Sequence, residues 1–257
     1  MALYERYVTG TPERPETFRL KVPEHFNFAY DVVDELARTE PDRLAMLWCN
    51  QAGEERRFTF REMKDLSDRT ASFFQQLGIR KGDRVMLVLK RHHEFWYCMM
   101  ALHKLGAVAI PATNLLTVKD LKYRFDAADV GYIVATLDGI VAEAIDEAAG
   151  PELVKVSVHG TRPGWHSLDE GIANAAPFTP PAEPVSSEDM MLLYFTSGTS
   201  GFPKMVAHNF AYPLGHIMTA KYWQRVVDGG LHMSVADTGW GKAVWGKLYG
   251  QWLAGTT

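Results

Sequence analysis

Short apolar runs alternate with amphipathic stretches along most of the chain, and this rhythm sets the expected fold. Residues 85–89, 108–110, 132–135, 153–158 and 190–195 are largely continuous apolar runs and read as buried strands. Residues 94–105 and 140–149 between them, and a stretch opening at Thr117-Val118-Lys119-Asp120, repeat their apolar positions at helical spacing. Phe95, Met99, Leu102 and Leu105 mark the inner face of one, and Leu121, Phe125 and Ala128 that of another. Pro111 is expected to stop the strand at 108–110. Strands that alternate with helices and read as largely continuous apolar runs imply an α/β fold, a largely parallel sheet with helices on both faces.

The flanking segments are less regular. Residues 1–25 read as an irregular lead-in. Residues 27–38 carry Phe28, Val32, Val33, Leu36 and Ala37 at helical spacing. Residues 44–49 and 56–59, separated by turn residues, suggest a hairpin. Thr59-Phe60-Arg61-Glu62 fits a capping box, and the helix after it ends at Gly78. Residues 160–187 break the rhythm and read as a long connection with one short helix near 167–172. Beyond 200, strands are expected at 205–208 and 231–235 and a helix at 211–225. Asp237-Thr238-Gly239-Trp240-Gly241 is a polar turn before a helix with Val244, Trp245, Leu248 and Trp252 on one side.

Composition narrows the class. At 257 residues, 47% hydrophobic and 23% charged, the chain can bury one large core or two ordinary ones. A formal net charge of -4 without a basic stripe argues against nucleic acid as a partner. Cys49 and Cys98 sit in apolar segments outside any C-x-x-C, as expected of buried free thiols in a reducing compartment. Residues 1–25 contain no apolar signal core and the chain no run of ~18 apolar residues, so no membrane span and a cytoplasmic location are expected.

The chemistry concentrates where the strand at 190–195 stops. Thr196, Ser197, Gly198, Thr199, Ser200, Gly201, Phe202, Pro203 and Lys204 follow it. Glycines let an anion approach the backbone, successive amides can converge on it, and the hydroxyls and Lys204 add donors and a positive charge. A solvated Gly/Ser turn would not need a buried strand before it and Pro-Lys after it. The pattern is neither G-x-x-x-x-G-K-[ST] nor G-x-G-x-x-G. His92-His93-Glu94 lacks the i, i+4 histidine pair of H-E-x-x-H and reads as a polar helix start, so no metal ligand set is assigned. Lys119, Lys122 and Arg124 read as a solvated helix face, and His208 as a strand-end residue.

Tyr-x-Thr-Ser-Gly-Thr-Ser-Gly-x-Pro-Lys at 194–204 resembles the phosphate loop of the AMP-forming, adenylate-forming enzymes: acyl-CoA synthetases, aryl-CoA ligases, luciferase-like enzymes and peptide-synthetase adenylation domains. Further stretches resemble the same family. They include Phe26-Asn27-Phe28-Ala29, Gly82-Asp83-Arg84-Val85, Ile110-Pro111-Ala112-Thr113, Asp120-Leu121-Lys122-Tyr123-Arg124 and Ala236-Asp237-Thr238-Gly239-Trp240. Met205 and the Asp-Thr-Gly-Trp turn look most like the medium-chain acyl-CoA synthetases, with acetyl-CoA synthetases as near neighbours.

The resemblance implies two half-reactions: ATP and a carboxylate give an acyl-adenylate and pyrophosphate, then coenzyme A displaces AMP. The loop from Thr196 to Lys204 would hold the β- and γ-phosphates with Mg2+ as counter-charge. Trp240, Gly241, Lys242 and Trp245 would border the acyl group, with Trp245 limiting pocket depth. A core role for Trp245 is an equal alternative, and for Trp252 the favoured one. Homo-oligomerisation is left open.

The resemblance also sets an expectation of incompleteness. The family's downstream Tyr-Gly-x-Thr-Glu motif, ribose-binding Asp, hinge and small C-terminal domain have no counterpart in residues 1–257. The chain is therefore expected to be part of a large N-terminal domain, inactive alone. About 80–210 would form a first α/β subdomain, and about 26–79 and 211–257 parts of a second. A non-catalytic nucleotide-binding module is the alternative from another class.

Overall fold

The computed structural model describes residues 3–11, 14, 16–196 and 201–257. The strands are β1 (Val8–Thr9), β2 (Arg19–Leu20), β3 (Leu44–Cys49), β4 (Glu55–Thr59), β5 (Arg84–Val88), β6 (Val108–Pro111), β7 (Tyr132–Thr136), β8 (Val154–Val158), β9 (His166–Ser167), β10 (Met190–Thr196) and β11 (Lys204–Asn209). The helices are α1 (Glu35–Thr39), α2 (Phe60–Gln76), α3 (Glu94–Leu105), α4 (Val118–Ala128), α5 (Val141–Ala148), α6 (Leu168–Ala173), α7 (Tyr212–Met218), α8 (Gly241–Lys247) and α9 (Tyr249–Leu253). Among the described residues, no helix is long and apolar enough to cross a membrane.

Seven strands form the main sheet in the order β11-β10-β6-β5-β7-β8-β9. The pairings are parallel except that β11 runs antiparallel to β10 at the edge. Strand β5 explains the layering. Val85 and Leu87 join the core cluster containing α3, while Met86 and Val88 join the cluster containing residues of α4 and α5. Successive side chains point to opposite faces. A strand covered on both sides must be apolar at every position, which is why the run carries no polar residue.

The local signals act as their chemistry requires. Thr59 and Thr117 each close a reciprocal capping box, with Glu62 and Asp120. Both satisfy amides that the first helical turn leaves unpaired. Residues 44–49 and 55–59 pair as an antiparallel hairpin. Helix α3 is buried on every side, beyond the single apolar stripe expected. Its charged Lys104 is sequestered with Asp34 at 2.8 Å and with Asp68. His103 Nε2 lies 2.7 Å from the Tyr249 hydroxyl. Phe28 packs edge-on to Tyr249 and Phe60 to Trp252, joining the early and late segments across α3.

Four expectations are corrected. Cys98 is buried, but Cys49, the last residue of the hairpin strand β3, is exposed. Pro111 is the last residue of β6 instead of lying beyond it, paired in register with Leu87. The helix expected at 211–225 is α7 followed by a wider π turn at Thr219–Trp223. Residues 231–235 form no strand. Leu231, Met233 and Val235 are 68–81% exposed. Their alternation fits a half-buried strand, but among the described residues no strand pairs with them; the amide of His232 bonds Thr257 instead. Periodicity reports what a segment can do, and pairing needs a neighbour.

Candidate active site

The carboxyl ends of β6 and β10 open into a cavity of about 560 Å³. This end is where an open α/β sheet offers unpaired amides and loops to a ligand. Ala112 and Thr113 leave β6 there, and Thr196 ends β10. Residues 197–200, the centre of the expected phosphate loop, lie outside the described residues. Its two shoulders are described. The Thr196 hydroxyl donates to the Lys204 carbonyl at 3.3 Å, and Lys204 starts β11 opposite Thr196. Gly201 has φ +104°, a conformation that side chains resist. Lys204 is exposed beside the cavity.

Tyr123 on α4 anchors the far shoulder. Its hydroxyl donates to the Pro203 carbonyl at 2.8 Å, and its ring stacks on Phe202 at 4.6 Å between centroids. Sequence reasoning named Phe202 and Pro203 but gave Tyr123 no role. Arg124 corrects the solvated-face expectation. Its side chain is only 11% exposed, lies over the Phe195 ring and lines the cavity. Lys119 and Lys122 on the same helix are exposed, as expected. Burial pulls the Arg124 guanidinium below its usual range, and the neighbouring Asp120 opposes this.

The opposite wall is the turn before α8. The Gly239 amide donates to Asp237 Oδ1 at 3.0 Å, and the Trp240 amide to the Asp237 carbonyl at 3.1 Å. The Thr238 hydroxyl is tied to the Lys90 carbonyl. Gly239 presses on the end of β6, where a Cβ would stand 2.4 Å from the Thr113 nitrogen. The turn thus needs glycine for close approach. Trp240, Gly241 and Trp245 line the cavity; Lys242 is exposed and not among the lining residues. Trp245 is half-buried and stacks on His216 and Trp223. Trp252 is a core anchor, its indole donating to the Ala45 carbonyl at 2.9 Å.

Between the shoulders and the turn runs an aromatic wall. Tyr194, His208 and Tyr212 line the cavity and touch in series, with His216 next. Burial lowers the His208 imidazole, and burial with the His208 charge takes His216 down to about 4. Both are neutral near pH 7. The Tyr194 hydroxyl is buried without a hydrogen-bond partner, and burial raises it well above its ordinary range. Among the described residues lining the cavity, Arg124 is the one permanent charge. An anionic head beside Arg124 with an apolar body along the aromatic wall is the ligand this lining suits. No carboxylate is among these residues, so they do not fit Mg2+.

The chain is similar to known proteins over most of its length. The chain is 32% identical over 272 residues to human "Acyl-coenzyme A synthetase ACSM3, mitochondrial", covering 99% of this chain and 46% of the relative. It is 37% identical to mouse "Acyl-coenzyme A synthetase ACSM5, mitochondrial", covering 96% and 44%. It is 34% identical to "4-hydroxybutyrate--CoA ligase 1" of Metallosphaera sedula, covering 90% and 40%. The chain spans somewhat under half the length of these relatives. The solved acetoacetyl-CoA synthetase from Streptomyces lividans shares the fold, with a TM-score of 0.78 at 22% identity over 90% of this chain and 37% of that one. Residues 33–257 match the family described as AMP-binding enzyme, and the chain belongs to that family.

Proposed function

We propose that the whole protein is an acid–thiol ligase that joins a short- or medium-chain carboxylate to coenzyme A through an acyl-adenylate. In the first step a carboxylate oxygen attacks the α-phosphorus of ATP. A mixed anhydride forms and pyrophosphate leaves. In the second step the thiol sulfur of coenzyme A attacks the acyl carbonyl, AMP leaves, and the thiol proton passes to solvent.

One observation carries the reading. The shoulders of the Thr196–Lys204 hairpin, the Gly239–Gly241 turn and Trp245 border a single cavity. Charge that develops on departing pyrophosphate would meet the Lys204 ammonium at the loop's far shoulder, and a positive charge placed where negative charge develops lowers a barrier. Arg124 would hold the carboxylate or a phosphate oxygen by charge-assisted hydrogen bonds. The neutral aromatic wall would take the acyl chain, with Trp245 closing its far end. Lys242 is set aside from the acyl wall. Mg2+ would arrive with the nucleotide, and no step is assigned to it here. The α/β unit of about 80–210 and the segments 26–79 and 211–257 would be the two subdomains around this cleft.

The test is pyrophosphate release by the whole protein with a panel of carboxylates from acetate to octanoate, benzoate and an amino acid. Release that needs both ATP and a short or medium aliphatic acid supports the proposal. Release with the amino acid alone would overturn the substrate class. The 257-residue chain by itself should form no thioester, because it spans under half of its relatives; thioester made by it would overturn that part.

A further inference from the structure

A second polar cluster stands apart from this cavity, over the carboxyl ends of β5, β7 and β8. His92 and Glu94 follow β5, Asp138 follows β7, and His159 follows β8. One ligand atom from each of His92, Glu94 and His159 lies within 4.8 Å of the others. Glu94 Oε1 and His159 Nε2 are 3.1 Å apart. Glu94 is 1% exposed, yet its Oε2 has no hydrogen-bond partner. Tyr97, one turn on, is within reach of the Glu94 carboxylate. Burial first, then the Glu94 charge and hydrogen bonding, raise its hydroxyl, but it is not aligned to satisfy Oε2. A buried carboxylate oxygen left unpaired is costly, and a bound cation would satisfy it.

We propose that His92, Glu94 and His159 bind one divalent transition-metal ion of the zinc class. Two imidazoles and a carboxylate are a borderline donor set that suits Zn2+ or Co2+ rather than Mg2+ or Ca2+. Ligand bonds of about 2.0–2.2 Å at tetrahedral angles place donor atoms roughly 3.3 Å apart. The Glu94–His159 pair already has about this spacing, at 3.1 Å, and the His92 donor lies within 4.8 Å of both. Asp138 Oδ2 and Thr136 Oγ1 lie 3.0 and 3.1 Å from His92 Nε2; as outer contacts they would orient the imidazole with Nδ1 as the nitrogen that takes the ion. Lys90, 3.5 Å from Asp138, balances that carboxylate. His93 Nδ1 sits 3.1 Å from Glu94 Oε1 out of hydrogen-bonding alignment, so it does not saturate the carboxylate. The fourth position would open to a cleft of about 760 Å³ that His92, Asp138 and His159 help to line. The sequence alone hid this set, because its third member comes from the end of a different strand.

The experiment is titration of the metal-stripped chain with CoCl2 and ZnCl2, read by the visible absorption of Co2+ and by equilibrium dialysis. One equivalent should bind per chain, with the intense visible bands of a tetrahedral site. His159→Asn should weaken binding at least tenfold. Asn suits the left-handed backbone at this position, φ +59°, and leaves the fold undisturbed. Glu94→Gln should do the same, and His25→Ala, far along the chain, should not. No stoichiometric binding by the unaltered chain, or binding unchanged in His159→Asn, would overturn the site.

Discussion

Alanine at Gly239 is the sharpest probe of how the turn before α8 closes the cavity. An added Cβ would stand 2.4 Å from the Thr113 nitrogen, 2.5 Å from the Ala112 carbonyl carbon and 2.6 Å from the Thr113 Cα. All three are backbone atoms of the two residues that directly follow the buried strand β6, so no side chain can swing away. Reaching ordinary contact requires the turn to retreat by about 1 Å. Overpacking of this kind costs about 1–3 kcal/mol. For a chain of this size that corresponds to a melting temperature lower by roughly 2–12 °C. Gly241 is the internal control. Its added Cβ would meet Tyr194 only at 3.9 Å, ordinary contact, in the first turn of α8. Alanine is the better helix former by up to about 1 kcal/mol, so Gly241→Ala should melt at or above the original temperature. Thermal unfolding followed by circular dichroism reads both. Equal melting of Gly239→Ala and the unaltered chain would refute the close approach of turn to strand. A larger loss in Gly241→Ala would refute the space assigned at the cavity wall.

Other expectations follow from single contacts. Tyr123→Phe keeps the ring stack on Phe202 and removes the bond to the Pro203 carbonyl. At about 0.5–1.5 kcal/mol for such a bond, KM for ATP in the whole protein should rise roughly two- to tenfold, as read by initial rates. Trp245→Ala should move the preferred acid toward longer chains, as measured by kcat/KM across straight-chain carboxylates; an unaltered profile removes Trp245 from the pocket wall. Acid should destabilise the fold through His103, which burial takes down to about 3. Its folded value lies below the unfolded 6.5, so its contribution is complete above pH 6.5 and is lost as pH falls from there toward 3. Urea midpoints measured across that range should decline, and His103→Gln should flatten the decline.

How far the sequence reaches depends on the range of the interaction. The capping boxes at Thr59 and Thr117 are closed within four residues, and both form as read. The buried runs of β5 and β7 are legible because a strand covered on both faces is apolar at nearly every position. The loop motif identified the family because its donors are contiguous. Readings failed where a distant partner decides. Leu231, Met233 and Val235 alternate like a strand but pair with none among the described residues. Arg124 looks like a solvated lysine-face neighbour until the sheet order brings α4 against Phe195. Nothing in the spacing of Gly239 reveals that it must touch the end of β6. The pairing of Glu94 with His159 depends on β5 and β8 being two places apart in the sheet.

The central claim is that the Thr196–Lys204 hairpin holds the phosphates that leave during adenylation. Carboxylate-dependent exchange of pyrophosphate into ATP isolates that half-reaction from thioester formation. With the whole protein, exchange should require the acid. In Lys204→Ala it should fall about 10²–10³-fold, the usual loss when one preorganised charge-stabilising donor is removed, with the melting temperature unchanged because Lys204 is exposed. Exchange at the original rate in a folded Lys204→Ala, or exchange that proceeds without any carboxylate, would contradict the account.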